Sequence, residues 1–238
     1  MRSAYWRRAA ITEKMAAEEE TEMARGRTET DVADFRERLC ETAAQLFVER
    51  GPSRFNMREL AHRLGVSAMT PYRYFKDKNE ILSVVRARAF RRFADQLEAA
   101  HAIEGSQLER SAAMGRAYLT FALEEQTNYR LMFALSQPTG MTIPELVKEE
   151  RRARGLMRTH VDMLVEMGVL QGNADLMAKI LWAALHGVIV LHLGGSLAKV
   201  NFDQLLSETM RVIANAYRPV KVTASPQAPA AHEWPTIP

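Results

Sequence analysis

Six cations and two tyrosines are concentrated in a stretch of 25 residues, 54–78, which we call the basic stretch. Its two anions, Glu59 and Asp77, leave a net charge of +4 (six minus two), although the whole 238-residue chain carries only +3. The cations are Arg54, Arg58, Arg63, Arg73, Lys76 and Lys78. Clustered cations bind phosphate, and a tyrosine hydroxyl can donate to phosphate while its ring packs on sugar. The stretch therefore predicts contact with a nucleic-acid backbone.

Catalytic chemistry has little support in the sequence. His186 and His192 are six residues apart, so they do not share a helical face, and no carboxylate lies three or four residues from His186. Zinc-protease spacing is absent. A single cysteine, Cys40, excludes an intramolecular disulfide framework and a multi-cysteine metal site, and it fits a reducing cytosol. We predict no catalytic residue, no metal, no cofactor and a cytoplasmic protein.

The elements around the basic stretch are short helices. Asn56 and Glu59 have the spacing of a capping box, and that helix ends at Gly65. A second short helix follows, and Asp77 and Glu80 then open a longer helix through Ala100. Two short helices joined by a tight glycine turn form a helix-turn-helix, which places its second helix in the DNA major groove. On spacing and charge alone, a helical hairpin with solvated cations and a buried aromatic residue remains an alternative.

Helical periodicity continues along most of the chain. The first helix places Phe35, Leu39, Ala43, Leu46 and Phe47 on one face and is closed by Gly51 and Pro52. Later helices begin after a Thr142–Glu145 cap and at Asn173 or Asp175, and no alternating strand pattern occurs. The prediction is an all-α fold: an N-terminal three-helix helix-turn-helix DNA-binding domain, then a larger helical ligand-binding and dimerisation domain.

The domain boundaries follow from these patterns. The predicted parts are a flexible N-terminal extension (1–29), the DNA-binding domain (30–76), the effector-binding and dimerisation domain (77–217) and a disordered, proline-rich tail (218–238). Translation could start at Met1 or at Met23.

The segment 180–198 has no formal charge and is long enough to span a membrane. It also contains two histidines and three glycines, and imidazoles are costly within lipid. We therefore predict no membrane span and interpret it as a helix buried nearly all round, in a core or a subunit interface.

Residues 55–82, FNMRELAHRLGVSAMTPYRYFKDKNEIL, resemble the DNA-binding segment of the TetR family of transcriptional regulators. The match extends back over the first helix, which ends in LFVERG. Downstream, NYRLMF and WAALHGVIVL resemble the C-terminal subgroup in which Trp, His and Gly recur in one helix, here Trp182, His186 and Gly187. The resemblance is strong in the first domain and looser in the second.

The resemblance implies roles for particular residues. The reading segment would be residues 67–75, with Ser67 as cap. Base contacts would come from Ala68, Met69 and Thr70, with Tyr72 near bases or phosphate. Phosphates would be held by the remaining residues of the interface: Arg54, Asn56, Tyr74, Lys76 and Lys78.

Pro71 complicates this assignment, because many members of the family carry an aliphatic residue there. Proline disfavours helical angles at the residue before it. The reading helix could therefore begin at Pro71 with Thr70 as its cap, instead of at Ala68. Phe75 and Leu60 are expected in the core, and Gly65 in the turn with positive φ.

The family also implies a homodimer built from the last two long helices, and an effector cavity in the larger domain. Aromatic and flexible apolar side chains there suit a small, mostly hydrophobic ligand. The predicted lining residues are Tyr118, Phe121, Met132, Phe133, Met157, Trp182 and His186. We thus expect a homodimeric repressor released by an effector from a double-stranded operator with an inverted repeat. The alternative is a helical small-molecule-binding protein or enzyme without operator binding.

Overall fold

The computed structural model of the chain describes residues 29–51, 53–133 and 143–219. Within these ranges the backbone forms eight α-helices, one 3₁₀ helix and no strand, which confirms the all-α prediction. The helices are α1 (Glu29–Arg50), α2 (Met57–Arg63), the 3₁₀ helix (Pro71–Arg73), α3 (Lys78–His101), α4 (Gln107–Glu124), α5 (Gln126–Met132), α6 (Pro144–Glu166), α7 (Ala174–Leu193) and α8 (Phe202–Ala216). Most of the predicted extension and tail, together with Pro52 and Thr142, lies outside the described residues.

The described chain divides into two compact units. The first comprises the residues up to Phe90 together with residues 127–148, and the second comprises Arg91–Gln126 and the residues from Glu149 onward. The sequence instead predicts one change of domain, after residue 76. The first unit takes in a later segment because Leu131 of α5 packs into its core and Arg86 donates to the Met132 carbonyl over 3.2 Å. A functional boundary after residue 76, between a DNA-binding domain and an effector-binding domain, remains a prediction.

The core of the first unit is formed by one face of α1 with α2 and the first turns of α3. All five residues predicted for the α1 face are buried, and Leu39, Ala43 and Leu46 are completely so. They pack with Leu60 and Ile81. The spacing of apolar residues along α1 thus determines which face of α1 packs against α2 and α3.

Asparagine and aspartate side chains cap four of the eight α-helices in the described ranges. Asn56 Oδ1 accepts from Glu59 N over 2.8 Å, but the predicted return bond is not formed, because the Glu59 carboxylate lies 3.4 Å from Arg50 Nη2. Asp77 Oδ1 accepts from Glu80 N over 3.0 Å, while Glu80 reaches back to Lys76 N instead of Asp77 N. At α7 the structure selects Asn173 over Asp175 as the cap, since Asn173 accepts from Leu176 N.

The second unit has an aromatic centre and an ionic network. The Phe93 ring lies 5.2 Å from that of Tyr118 and 5.1 Å from that of Phe121. Arg152 of α6 pairs with Glu98 and Asp95 of α3 and with Glu149, a carboxylate whose side chain is only 3% exposed. These charge-assisted bonds raise the pKa of Arg152 and lower that of Glu98. They link α6 to the second half of α3.

Helices α7 and α8 pack against one another and leave apolar surface uncovered in the single chain. By length and composition α7 could cross a membrane, but one such helix is weak support for a span, and only 28% of its apolar window is buried. None of the residues of α8 is buried. Val190, Leu191 and Val212 are each about half exposed. The predicted all-round burial of α7 is therefore not achieved within one chain.

Candidate nucleic-acid interface

The turn between α2 and the reading segment depends on glycine. Gly65 has φ +67°, as predicted, and its N–H donates to the His62 carbonyl over 3.1 Å. Val66 N donates to the Ala61 carbonyl over 3.0 Å. This pair of bonds closes the helix with a left-handed residue, which glycine adopts at least cost. The chain is thereby redirected from α2 into the reading segment.

The reading segment is not the short α-helix that the sequence predicts. Residues 68–70 form a turn, and Pro71–Arg73 form a 3₁₀ helix. Thr70 N donates to the Ser67 carbonyl over 2.9 Å, and Tyr74 N donates to the Pro71 carbonyl over 3.0 Å. Arg73 N also donates to the Thr70 carbonyl over 3.1 Å, and these i→i+3 bonds are the pattern of a 3₁₀ helix.

The predicted start at Ala68 is wrong, whereas the alternative start at Pro71 agrees with the structure, where a 3₁₀ helix begins at Pro71. Thr70 has φ −60° and ψ −45°, so the expectation that Pro71 keeps it out of helical angles is wrong. Thr70 occupies the N-cap position of this helix, as the alternative predicts, but its side chain makes no cap bond. Ser67 Oγ accepts from Met69 N over 3.4 Å, a long bond that fixes the turn only weakly.

The predicted base-contacting residues are exposed to different extents. Met69 is 67% exposed and Tyr72 46% exposed, while Ser67 and Ala68 are also exposed and Thr70 is half-buried. Beneath them Pro71 and Phe75 are buried, and the Arg36 guanidinium lies 5.0 Å from the Phe75 ring centroid. Packing of Pro71 and Phe75 into the core therefore leaves the methionine and the tyrosine facing solvent.

Ion pairs sort the cations of the basic stretch into two groups. Arg63 makes a bidentate pair with Glu49 of α1, at 3.1 and 2.5 Å, which lowers the pKa of Glu49 and raises that of Arg63. No described carboxylate pairs with the other five cations, all of which are exposed. These five are Arg54, Arg58, Arg73, Lys76 and Lys78. Glu59, an anion of the basic stretch, pairs with Arg50, which lies outside the stretch. The stretch therefore keeps its excess of unpaired positive charge.

Arg58 and Arg73 contribute to the charge of the basic stretch but are not among the residues that the sequence predicts for the interface. The structure adds them as candidates for phosphate contact, because both are exposed and neither has an ion-pair partner among the described residues. The spacing of residues in the sequence does not reveal this. The guanidinium of Arg63, by contrast, already donates to the carboxylate of Glu49, 14 positions away in the chain.

Two of the predicted phosphate-holding residues also have structural roles. The Tyr74 ring is half-buried and lies 5.1 Å from the ring of Phe35. The Asn56 side-chain oxygen serves as the α2 cap, which leaves only its amide N–H groups for a phosphate. Their contacts with DNA remain predictions, as do those of the other assigned residues.

The residues predicted to line an effector cavity are distributed over both units. Tyr118 and Phe121 are each 1% exposed in the core of the second unit, which also contains the half-buried Met157, Trp182 and His186. Met132 and Phe133 belong to the first unit, where the Phe133 ring lies 5.0 Å from that of Tyr129. A single cavity lined by all seven remains a prediction.

Titratable groups that could act catalytically are dispersed. Burial raises the pKa of the Cys40 thiol, which opposes a nucleophilic thiolate, and burial lowers the pKa of His186. In the described ranges, no three histidine, cysteine or acidic side chains are grouped so as to hold a metal ion.

An exposed basic segment held by a three-helix core after a glycine turn defines a helix-turn-helix DNA-binding protein.

Comparison with known proteins assigns both parts of the chain. Residues 39–85 match the model of bacterial regulatory proteins of the tetR family, and residues 111–217 match that of the tetracyclin repressor-like C-terminal domain. An HTH-type transcriptional regulator of Staphylococcus aureus is 35% identical over 68 residues, which are 29% of this chain and 37% of that relative. The chain thus matches little more than a third of the relative's length.

Solved structures share the fold over most of both chains. A TetR family transcription regulator from Marinobacter aquaeolei superposes with a TM-score of 0.62 at 18% identity, covering 80% of this chain and 98% of that one. A transcriptional regulator from Saccharomonospora viridis in complex with choline gives a TM-score of 0.62 at 20% identity, covering 78% and 98%. The chain belongs to the TetR family of DNA-binding transcriptional regulators. Membership of the Trp-His-Gly subgroup remains a prediction.

Proposed function

We propose that the chain is a homodimeric repressor that binds an inverted-repeat operator and is released by a small effector. The exposed basic stretch, with its five unpaired cations around a solvent-facing Met69 and Tyr72, is the observation that carries the proposal. Unpaired cations release counterions on meeting phosphate, which gives affinity, and exposed side chains on the reading segment supply base contacts. A two-fold dimer would place two such segments about 34–36 Å apart.

The uncovered faces of α7 and α8 support the dimer. Both helices present valine and leucine to solvent in the single chain, including Val190, Leu191 and Val212. Apolar patches of this kind mark interfaces, and a second copy offers the same patch for a self-complementary contact. Because Asp175 and Lys179 form a salt bridge within the first turns of α7, we favour this interface over a membrane span.

An effector-responsive domain is supported by the second unit. It contains half-buried Met157, Trp182 and His186 beside its packed aromatic centre. The S. viridis regulator of similar fold holds choline, a small molecule. Helix α3 runs without interruption from the first unit into the second, so we propose that effector binding shifts it and alters the separation of the two Tyr72 positions.

The proposed regulator has no enzymatic activity and works in the cytoplasm. Membership of a family of DNA-binding transcriptional regulators supports both statements. The alternative, a helical ligand-binding protein without an operator, differs in one measurable respect: it predicts no sequence preference when the chain selects from random duplex DNA.

The dimer is tested with Val212→Glu, which places a charge on the exposed face of α8. Light scattering after size exclusion should give twice the chain mass for the parent and the chain mass for the variant, because an unpaired charge in an apolar interface is costly. Ala112→Glu, at an exposed position on α4, is the matched control. Operator binding should weaken with Val212→Glu and persist with the control. A variant that remains dimeric would place the interface elsewhere.

The operator is identified by selecting bound sequences from randomised DNA. The expected result is a palindromic motif whose half-sites are about 10–10.5 base pairs apart, centre to centre, or a multiple of that. Double electron–electron resonance between labels at Tyr72 then measures the separation of the reading segments with DNA and with a releasing ligand. Identical distance distributions in the two states would refute the proposed movement of α3.

A further inference from the structure

A cavity of about 420 Å³ opens in the second unit, where α3 ends and α4 begins. We call it the α3–α4 cavity. Its lining residues are His101, Ala102, Ile103, Gln107, Arg110 and Met163. The volume lies within the range of small-molecule sites, and the lining combines apolar side chains with a few polar groups. None of these six residues was among those predicted to line an effector cavity.

Arg110 gives the cavity a fixed positive charge. One of its N–H groups, on Nη1, donates to the Gly105 carbonyl over 2.8 Å, which anchors the guanidinium in place. No carboxylate in the described ranges pairs with it. The acidic residue next to it, Glu109, is engaged in the α4 capping box, where it accepts from Ser106 N over 2.7 Å and from Ser106 Oγ over 2.8 Å. The guanidinium therefore retains donors for an acceptor that comes from outside the chain.

His101, which lines the cavity, and its neighbour His160 add buried polar atoms to this part of the second unit. Nδ1 of His101 and Nδ1 of His160 are both buried, and neither has a hydrogen-bond partner among the described residues. Burial lowers the pKa of His160, and the neighbouring His101 lowers it further. Buried polar atoms are almost always satisfied, so the unpartnered Nδ1 of His101, a lining residue, indicates a cavity that a polar ligand completes.

The charge decides what kind of ligand this is. Two imidazoles could contribute to a transition-metal site, but the guanidinium of Arg110 in the same cavity repels a cation. A carboxylate, in contrast, matches the planar fork of arginine and accepts two parallel hydrogen bonds. Ile103 and Met163 offer apolar surface for the rest of the molecule. We propose that the α3–α4 cavity binds a small organic carboxylate, with the carboxylate on Arg110 and its apolar body against Ile103 and Met163.

Binding is tested on the full chain by isothermal titration calorimetry with benzoate. Saturable binding is expected for benzoate and none for benzamide or choline, since the amide lacks the charge and choline has the opposite one. Arg110→Met should weaken benzoate at least about tenfold, the loss typical of a charge-assisted hydrogen bond. Arg116→Met, an exposed arginine on the same helix, is the matched control and should bind as the parent does.

A second variant keeps the test decisive if Arg110→Met does not fold. Gln107→Glu puts a negative charge in the cavity lining at the first residue of α4, where a helix tolerates acidic residues well. It should also weaken benzoate about tenfold. Ring-proton resonances of His101 should shift on benzoate addition in the parent, whereas those of the exposed His192 should not.

Any one of the following results would overturn the proposal. One is benzamide binding as tightly as benzoate, and another is full affinity in both Arg110→Met and Gln107→Glu. The third is no saturable binding of benzoate, octanoate or inorganic phosphate to the parent up to about 10 mM, the limit of a specific weak site. Tighter binding of inorganic phosphate than of either carboxylate would replace the proposed ligand class.

Consequences for DNA rest on the proposed function and are measured separately. Benzoate binding that leaves operator affinity unchanged supports the carboxylate site and removes its regulatory role. Release of operator by benzoate to the same extent in Arg110→Met and the parent would keep the ligand-responsive regulator and overturn this cavity as its site.

Discussion

Lys78→Met should flatten the salt dependence of DNA binding by a definite amount. Lys78 is the first residue of α3, is exposed and has no ion-pair partner among the described residues. Each phosphate contact adds about 0.9 to the slope of log K against log salt concentration. The proposed homodimer would lose two contacts, so the slope should fall by about 1.8. If the parent and the variant bind DNA equally at 1 M salt, this change of slope corresponds to about a 30-fold loss of affinity at 0.15 M salt.

The assay is fluorescence anisotropy with the operator and with an unrelated duplex, at four salt concentrations between about 50 and 300 mM. Both DNAs should show the same change in slope, because a phosphate contact has no sequence preference. Lys199→Met, at an exposed position after α7, is the control and should leave the slope unchanged. Arg63→Met should also change it little, since Arg63 is held by Glu49. An unaltered slope for Lys78→Met would show that this lysine does not touch DNA.

The remaining predictions concern sequence reading, acid stability and the turn. Met69→Ala and Thr70→Ala should change the motif selected from random DNA, each wrong base costing about 1–3 kcal/mol, while affinity for unrelated DNA stays the same; an unchanged motif would place the base contacts elsewhere. The lowered pKa of His160 means that the unfolded chain binds a proton first, near its ordinary value of 6.5, so folding stability should fall as the pH drops through that value, by at most about 1.4 kcal/mol per pH unit. His160→Gln should flatten this fall in urea unfolding between about pH 7.5 and 5, and an equally steep fall would contradict the assignment. Gly65→Ala should lower the free energy of unfolding by about 1–2 kcal/mol, because φ at Gly65 is +67°, although a methyl group there would meet nothing within 4 Å. Gly155→Ala, inside α6, is the control and should raise the free energy of unfolding by about 0.5–1 kcal/mol. Equal effects of the two substitutions would refute the strain argument.

Local patterns allowed much of the first unit to be predicted. The apolar spacing of α1 identified its buried face, and Asn56, Gly65 and Asp77 marked where helices begin and end. These features depend on residues within one or two turns of each other, so the sequence alone contains their physical cause. The family resemblance rests on the same local features and is confirmed by the comparisons.

The reading segment shows where local rules fail. A proline restricts the residue before it, yet Thr70 is helical. Pro71 and Phe75 are buried in a core made by other helices, and that packing outweighs the local preference of Thr70. The result is a helix that begins at Pro71, one of the two predicted starts, but is a 3₁₀ helix instead of an α-helix.

The order of residues in the sequence determined by itself that this chain is helical, through its apolar periodicity, and that its basic stretch has excess positive charge. Only the tertiary structure decided which of those charges are unpaired, because Glu49 and Arg63 meet across 14 residues of chain and leave five other cations exposed. It also decided that Leu131 joins the first unit, and that Arg110 shares a cavity with His101 and Met163. Such pairings depend on which helices pack together, and that depends on burying apolar surface over the whole chain rather than on the spacing of neighbouring residues.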